Sequence, residues 1–165
     1  MDLVAASSSS SSSSVPTWKY DVFISFRGQD TRNTFTSYLR DALRREKIET
    51  YIDEENLARG AEISPAILRA IEESMICVII FSENYANSSW CLDELVHILK
   101  CQRQYGQQVV PIFYKVDPSY VRKQLGSYAI AFKKLQKRYK EKVNSWRAAL
   151  TEAANLAGWS SHEMR

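Results

Sequence analysis

The 165-residue chain is short of several things, and each shortage excludes a class of protein. It has no apolar run approaching the roughly 20 residues of a membrane span, which rules out a spanning helix. Its start has neither a basic stretch nor an apolar segment, so a secretory signal is not expected. The three cysteines, Cys77, Cys91 and Cys101, are odd in number and lack metal spacing, which points to reduced thiols with no bound metal. Glycine is scarce, and the segment FRGQDTR (26–32) carries one where a dinucleotide fingerprint has three. A formal net charge of +3 is too mild to announce a nucleic-acid binder.

What is present reads as one α/β domain. Ser7 to Ser14 form an unbroken serine tract that cannot bury enough surface to order itself, so residues 1–17 are expected to be a disordered leader. Residues 18–160 then alternate apolar runs with helical patterns, and 161–165 form a tail. The expected strands are Tyr20–Phe26, Ile48–Ile52, Met75–Phe81 and Val109–Tyr114. The third is apolar throughout, as a parallel strand covered on both faces should be. Pro111 places the fourth nearer a sheet edge.

Asp30 or Thr31 is expected to cap a helix whose apolar face is Phe35, Leu39, Ala42 and Leu43. Ser64-Pro65 opens another, with serine accepting from an orphan amide and proline having no amide to lose. Ser88 or Ser89 caps a third. Two more helices fall at about 125–141 and 145–157, with Gly158 as terminator. Short links between alternating strands and helices imply right-handed crossovers and a three-layer sandwich around a flavodoxin-like parallel sheet of four or five strands.

Ligands of such sheets bind beyond the carboxyl ends of the strands, where the strand order reverses. In the order 2-1-3-4-5 this lies between the first and third strands, lined by FRGQDTR and by SENYANSSWCLDE (82–94). Arg27, Gly28 and Arg32 in the first segment suit a phosphate, or equally a turn with surface salt bridges. Trp90 and Glu94, four residues apart, share one helix face near its N-terminus. They form either an aromatic platform with a carboxylate for a nucleotide, or a core tryptophan with a favourable first-turn charge. Asp93 lies about 100° round the helix and competes with Glu94. His97 reads as a surface or interface histidine.

The blocks YDVFISFRGQDTR (20–32), IDEENLARGAEISPAI (52–67), FSENYANSSWCLDEL (81–95) and VVPIFYKVDPSYVRKQ (109–124) resemble a plant Toll/interleukin receptor (TIR) domain. Such domains stand at the front of intracellular nucleotide-binding leucine-rich-repeat (NLR) immune receptors. The resemblance implies an enzyme that cleaves the nicotinamide–ribose bond of NAD+ or NADP+, used as substrate with no cofactor, in the cytoplasm or nucleus. Glu94 matches the family's catalytic glutamate, and Arg27, Gly28, Arg32 and Trp90 match the nucleotide pocket. The loop from Asp53 through Gly60 matches a mobile gate.

Cys91 matches a cysteine implicated in a second activity, cyclic-nucleotide synthesis from nucleic acid. Family members act when other TIR domains assemble with them, through one surface on the first and last helices and another after the fourth strand. Gly126 falls in the second. Ser37-Tyr38 stands in the first, where many members have Ser-His. The resemblance leaves open a TIR-only protein or the front of a longer receptor, with the second expected.

Residues 115–142 carry nine basic and two acidic side chains, a local charge of +7 against −4 for the remainder. This stretch reads as a solvated or subunit-contacting face, with phosphate attraction to nucleic acid as the competing reading.

Overall fold

The computed structural model describes residues 17–53 and 63–161. The serine tract and most of the 53–60 gate, including Gly60, lie outside the described residues. Five parallel strands, β1 (Tyr20–Ser25), β2 (Thr50–Ile52), β3 (Ser74–Phe81), β4 (Gln108–Phe113) and β5 (Trp159–Ser160), lie in the order β2-β1-β3-β4-β5. The order therefore reverses between β1 and β3, as in the flavodoxin-like arrangement. The fifth strand is only two residues long and pairs with Ile112 and Phe113.

Strand alternation sends side chains to two cores. Val22, Ile24, Val78, Ile80 and Ile112 meet Phe35, Leu39 and Leu43 on one face. Those three belong to helix α2 (Phe35–Arg45), which follows a single short turn, α1 (Gly28–Thr31). On the other face Phe23, Cys77, Ile79 and Phe81 meet helices α3 (Pro65–Glu72), α4 (Ser89–Tyr105), α5 (Pro118–Lys123), α6 (Ser127–Arg138) and α7 (Val143–Ala154). No helix among the described residues is long and apolar enough to cross a membrane.

The caps at Ser64 and Ser88 form as expected, accepting from the amides of Ile67 at 3.3 Å and Cys91 at 3.1 Å. Three expectations are corrected. Neither Asp30 nor Thr31 caps α2, whose N-cap is Thr34. Thr31 is buried with its hydroxyl 2.7 Å from that of Thr36, and Asp30 is drawn to another loop. The two final helices are shorter than their apolar spacing implied, because the chain breaks at Tyr139–Lys142. Phe132, Leu135 and Val143 are buried and Tyr139 packs on the core, but from two helices and the link between them.

Gly158 does not end a helix. The last helix stops at Ala154 with Asn155 as its cap, and Gly158 passes directly over β4. A Cβ at Gly158 would lie 2.1 Å from the Pro111 carbonyl oxygen, so only glycine lets β5 close onto Ile112. Gly158→Ala is expected to destabilise the domain by about 2–3 kcal/mol, the cost of overpacking against backbone that cannot give way. Urea unfolding of the two proteins measures it, and equal midpoints would refute the close-approach account.

Candidate active site

The carboxyl ends of β1 and β3 are tied across the reversal point by Asp30. Its Oδ2 accepts from Ser82 Oγ at 2.6 Å and the Asn84 amide at 2.9 Å, while Oδ1 faces Arg27 at 3.4 Å. The arginine turn and the post-β3 loop are thus one wall, not two independent segments. Arg32 lies on the inner side of this wall. Its guanidinium lies 4.9 Å from the centre of the Phe26 ring, donates to the Asp53 carbonyl at 3.4 Å, and rests on Gly28. A Cβ at Gly28 would meet it at 3.0 Å, so glycine leaves room for the guanidinium.

Glu94 projects from the second turn of α4 into this wall. Its Oε1 accepts from Ser25 Oγ at 2.8 Å, at the end of β1, and its Oε2 accepts from Trp90 Nε1 at 2.8 Å. The i,i+4 face inferred for Trp90 and Glu94 is therefore occupied by a direct hydrogen bond. The indole N–H is shared, because it also donates to Asp53 Oδ2 at 2.6 Å. One hydrogen thus holds two carboxylates side by side. Tyr85 completes the floor, with its hydroxyl 2.8 Å from Ser25 Oγ and 3.0 Å from the Cys91 carbonyl.

Of the two competing carboxyls, Glu94 is the one that faces the switch-point wall. Asp93 accepts from Trp146 Nε1 at 3.1 Å and Lys142 Nζ at 3.4 Å, facing α7 and away from the crevice. His97 pairs with Glu72 at 2.9 Å across α3 and α4. Ser37 accepts from Arg40 at 3.4 Å on α2, and Tyr38 beside it is 72% exposed. Gly126, at φ +57°, is the N-cap of α6, and the Tyr120 ring lies against it. Tyr120, Leu125 and Ile130 form an exposed apolar group around that turn.

The carboxyl pair and the indole are enclosed in this conformation. Glu94, Asp53 and Trp90 are 1%, 2% and 6% exposed. Burial, then the adjacent Asp53 carboxylate, push the Glu94 carboxyl well above its ordinary range, outweighing the Ser25 and Trp90 hydrogen bonds that favour the anion. Burial and then Glu94 likewise raise the Cys91 thiol, whose Sγ donates to the Phe26 carbonyl at 3.4 Å. Cys91 is here a protonated floor residue and not a poised thiolate.

A carboxyl raised in the folded state binds its proton more tightly there than in the unfolded chain. With respect to Glu94, stability is therefore greatest below the unfolded pKa of about 4.3 and falls as pH rises through the folded value. Glu94→Gln removes that slope, and its amide can donate to Asp53 as the neutral acid does. Its melting temperature at pH 8 is expected to exceed wild type, with the gap closing towards pH 5. Thermal scans at the two pH values test this, and a Gln variant less stable at pH 8 would contradict it.

Ser25, Tyr85 and Ser82 are the site residues that sequence alone did not single out. A serine ending an apolar strand at the reversal point is the one signal that pointed there.

Fold and site together define an α/β domain with an inward carboxylate at the topological switch point of a 2-1-3-4-5 parallel sheet. The family profile described as TIR domain matches residues 19–165, and the chain belongs to that family. It is 59% identical over 93% of its length to disease resistance protein RPV1 of Vitis rotundifolia, and 52% identical over 90% to TMV resistance protein N of Nicotiana glutinosa. The chain spans 11% and 13% of those two proteins. Among solved structures, the TIR domains of the activated Roq1 resistosome, described as directly recognising the pathogen effector XopQ, superpose with a TM-score of 0.80. That match has 48% identity and covers 88% of this chain and 89% of the other.

Proposed function

We propose that this TIR domain cleaves the bond between nicotinamide and ribose in NAD+ or NADP+, releasing signalling nucleotides in plant immunity, and that assembly of TIR domains switches it on. The observation carrying this reading is Glu94, with both carboxylate oxygens held by Ser25 and Trp90 at the switch point.

One carboxylate is enough for this chemistry. Most glycosidases need two, one of them to protonate a poor leaving group. The nicotinamide of NAD+ is a cationic pyridinium and departs as a neutral molecule when the C–N bond breaks, taking the bonding pair. Water then adds to the ribosyl cation and gives up a proton, so NAD+ and water yield nicotinamide, ADP-ribose and H+. Ionised Glu94 would stabilise the developing oxocarbenium charge, and Arg27 and Arg32 would meet phosphate oxygens. Tyr38 with Ser37, and the apolar turn around Gly126, supply two exposed surfaces for neighbouring copies.

The enclosed site fits a subunit that is idle alone. Fusing the chain to a small oligomeric scaffold should produce nicotinamide in step with NAD+ loss, as read by chromatography. Clustered protein that leaves NAD+ intact would favour a silent interaction module instead.

The basic stretch gives a second reading its one support. Lys133, Lys134 and Lys137 are all exposed on α6. If that face binds RNA or DNA, Lys133→Glu with Lys134→Glu should weaken binding at least about tenfold and flatten its salt dependence. Unchanged binding, or none by the wild type, would assign the lysines to solvent or subunit contacts.

A further inference from the structure

Beyond the crevice, α3 and α4 bring together a side-chain set that the sequence spacing alone does not reveal. Glu72 is the last residue of α3, while His97 and Cys101 stand four residues apart on one face of α4. Their ligating atoms, the Glu72 carboxylate oxygen, an imidazole nitrogen and the Cys101 sulfur, all lie within 4.8 Å of one another. We propose that Glu72, His97 and Cys101 form a binding site for a borderline-soft divalent cation, Zn2+ foremost.

The donor set selects the ion. A thiolate, an imidazole and a carboxylate suit Zn2+ and its neighbours, whereas Mg2+ and Ca2+ prefer oxygen alone. In a tetrahedral zinc site, with bonds of about 2.0–2.3 Å, neighbouring donors stand roughly 3.3–3.6 Å apart. Reaching that spacing means drawing in donors that now stand up to 4.8 Å apart. The Glu72 Oε2 to His97 Nε2 contact, 2.9 Å as a hydrogen bond, opens by a few tenths of an ångström, and the more distant donors draw in.

Burial is graded in the direction a cation site needs. Cys101 is enclosed, His97 is mostly covered, and Glu72 reaches solvent, so an ion has a way in and a shielded seat. A surface cavity of about 390 Å³ opens beside His97, with Lys100 on its wall. Three protein ligands leave a fourth position for water. Binding releases the Cys101 thiol proton, and that of His97 when it is charged, to solvent. The bound ion would clamp the end of α3 to the middle of α4.

The ordinary alternative is an isolated Glu72–His97 ion pair that happens to lie over a buried thiol. Zinc titration of the purified chain against a chromophoric chelator separates the two. The site predicts one Zn2+ bound per chain, undisturbed by excess Mg2+. Co2+ in its place should give tetrahedral visible bands with thiolate-to-cobalt charge transfer. Cys101→Ser should abolish that charge transfer, and His97→Ala and Glu72→Gln should each weaken Zn2+ binding at least about tenfold. Glu72 is half-exposed, so its Gln variant remains decisive if a change at buried Cys101 impairs folding. His162→Ala, at the only other histidine, should change nothing. No stoichiometric zinc at micromolar concentration, or zinc binding that survives Glu72→Gln and His97→Ala, would overturn the site.

Discussion

Replacing Glu94 with alanine is expected to lower nicotinamide release from NAD+ by at least about a thousandfold while leaving the domain folded. The loss is large because, among the described residues, the two carboxylates nearest Glu94 are engaged elsewhere. Asp93 is held by Trp146 and Lys142 on the α7 side, and Asp53 shares the Trp90 N–H with Glu94. The fold survives because the groups left behind keep partners. Trp90 Nε1 retains Asp53 Oδ2, and Ser25 Oγ retains the Tyr85 hydroxyl. Alanine also suits a helix interior. Circular dichroism and chromatographic release assays read the two halves separately. Wild-type release by folded Glu94→Ala protein would remove Glu94 from the chemistry.

Asp53→Asn is expected to act in the opposite direction at low protein concentration. In this conformation the Asp53 carboxylate is, after burial itself, the largest influence raising the Glu94 carboxyl above its ordinary range. An asparagine amide removes that charge and offers N–H donors to the Glu94 carboxylate in its place, which favours the anion. The ascending limb of the pH–activity profile should therefore move to lower pH. Release at pH 7 by dilute protein should rise about fivefold or more, with the difference from wild type shrinking once the domains are clustered. A profile that does not move would show that the Asp53 contact does not govern Glu94. Loss of activity in the clustered state would instead make Asp53 part of the machinery that meets the substrate.

Much of the fold was legible because local signals agreed with one another. The run MICVIIF reads as a doubly covered parallel strand, and Ser64-Pro65 and Ser88 mark helix starts by hydrogen-bonding rules that need no tertiary context. Gly158 misled because a glycine after a helical pattern usually serves the helix. Here it serves the Pro111 carbonyl of a strand some 47 positions earlier in the chain. The break after Arg138 was hidden for a related reason: Tyr139 and Val143 continue the apolar spacing across a link that is not helical.

The candidate site divides along the same line. Trp90 and Glu94 could be paired from their spacing, since four residues on a helix fix the relation. Their partners could not, because Ser25 and Asp53 arrive from strand ends 69 and 41 positions away, where a polar residue looks like any other turn. Likewise His97 and Cys101 stand on one helix face, but only the packing of α3 on α4 brings Glu72 to them. Local chemistry is written in neighbouring residues, whereas a buried carboxylate's protonation depends on which strands the fold sets beside it.

The account stands most directly on nicotinamide release measured across a protein concentration series with NAD+ in excess. Release per subunit should rise as the chain is concentrated, while Glu94→Ala protein stays at background throughout. Release per subunit that is undetectable at every concentration, or equal in wild type and Glu94→Ala, would contradict an assembly-gated NAD+-cleaving site at Glu94.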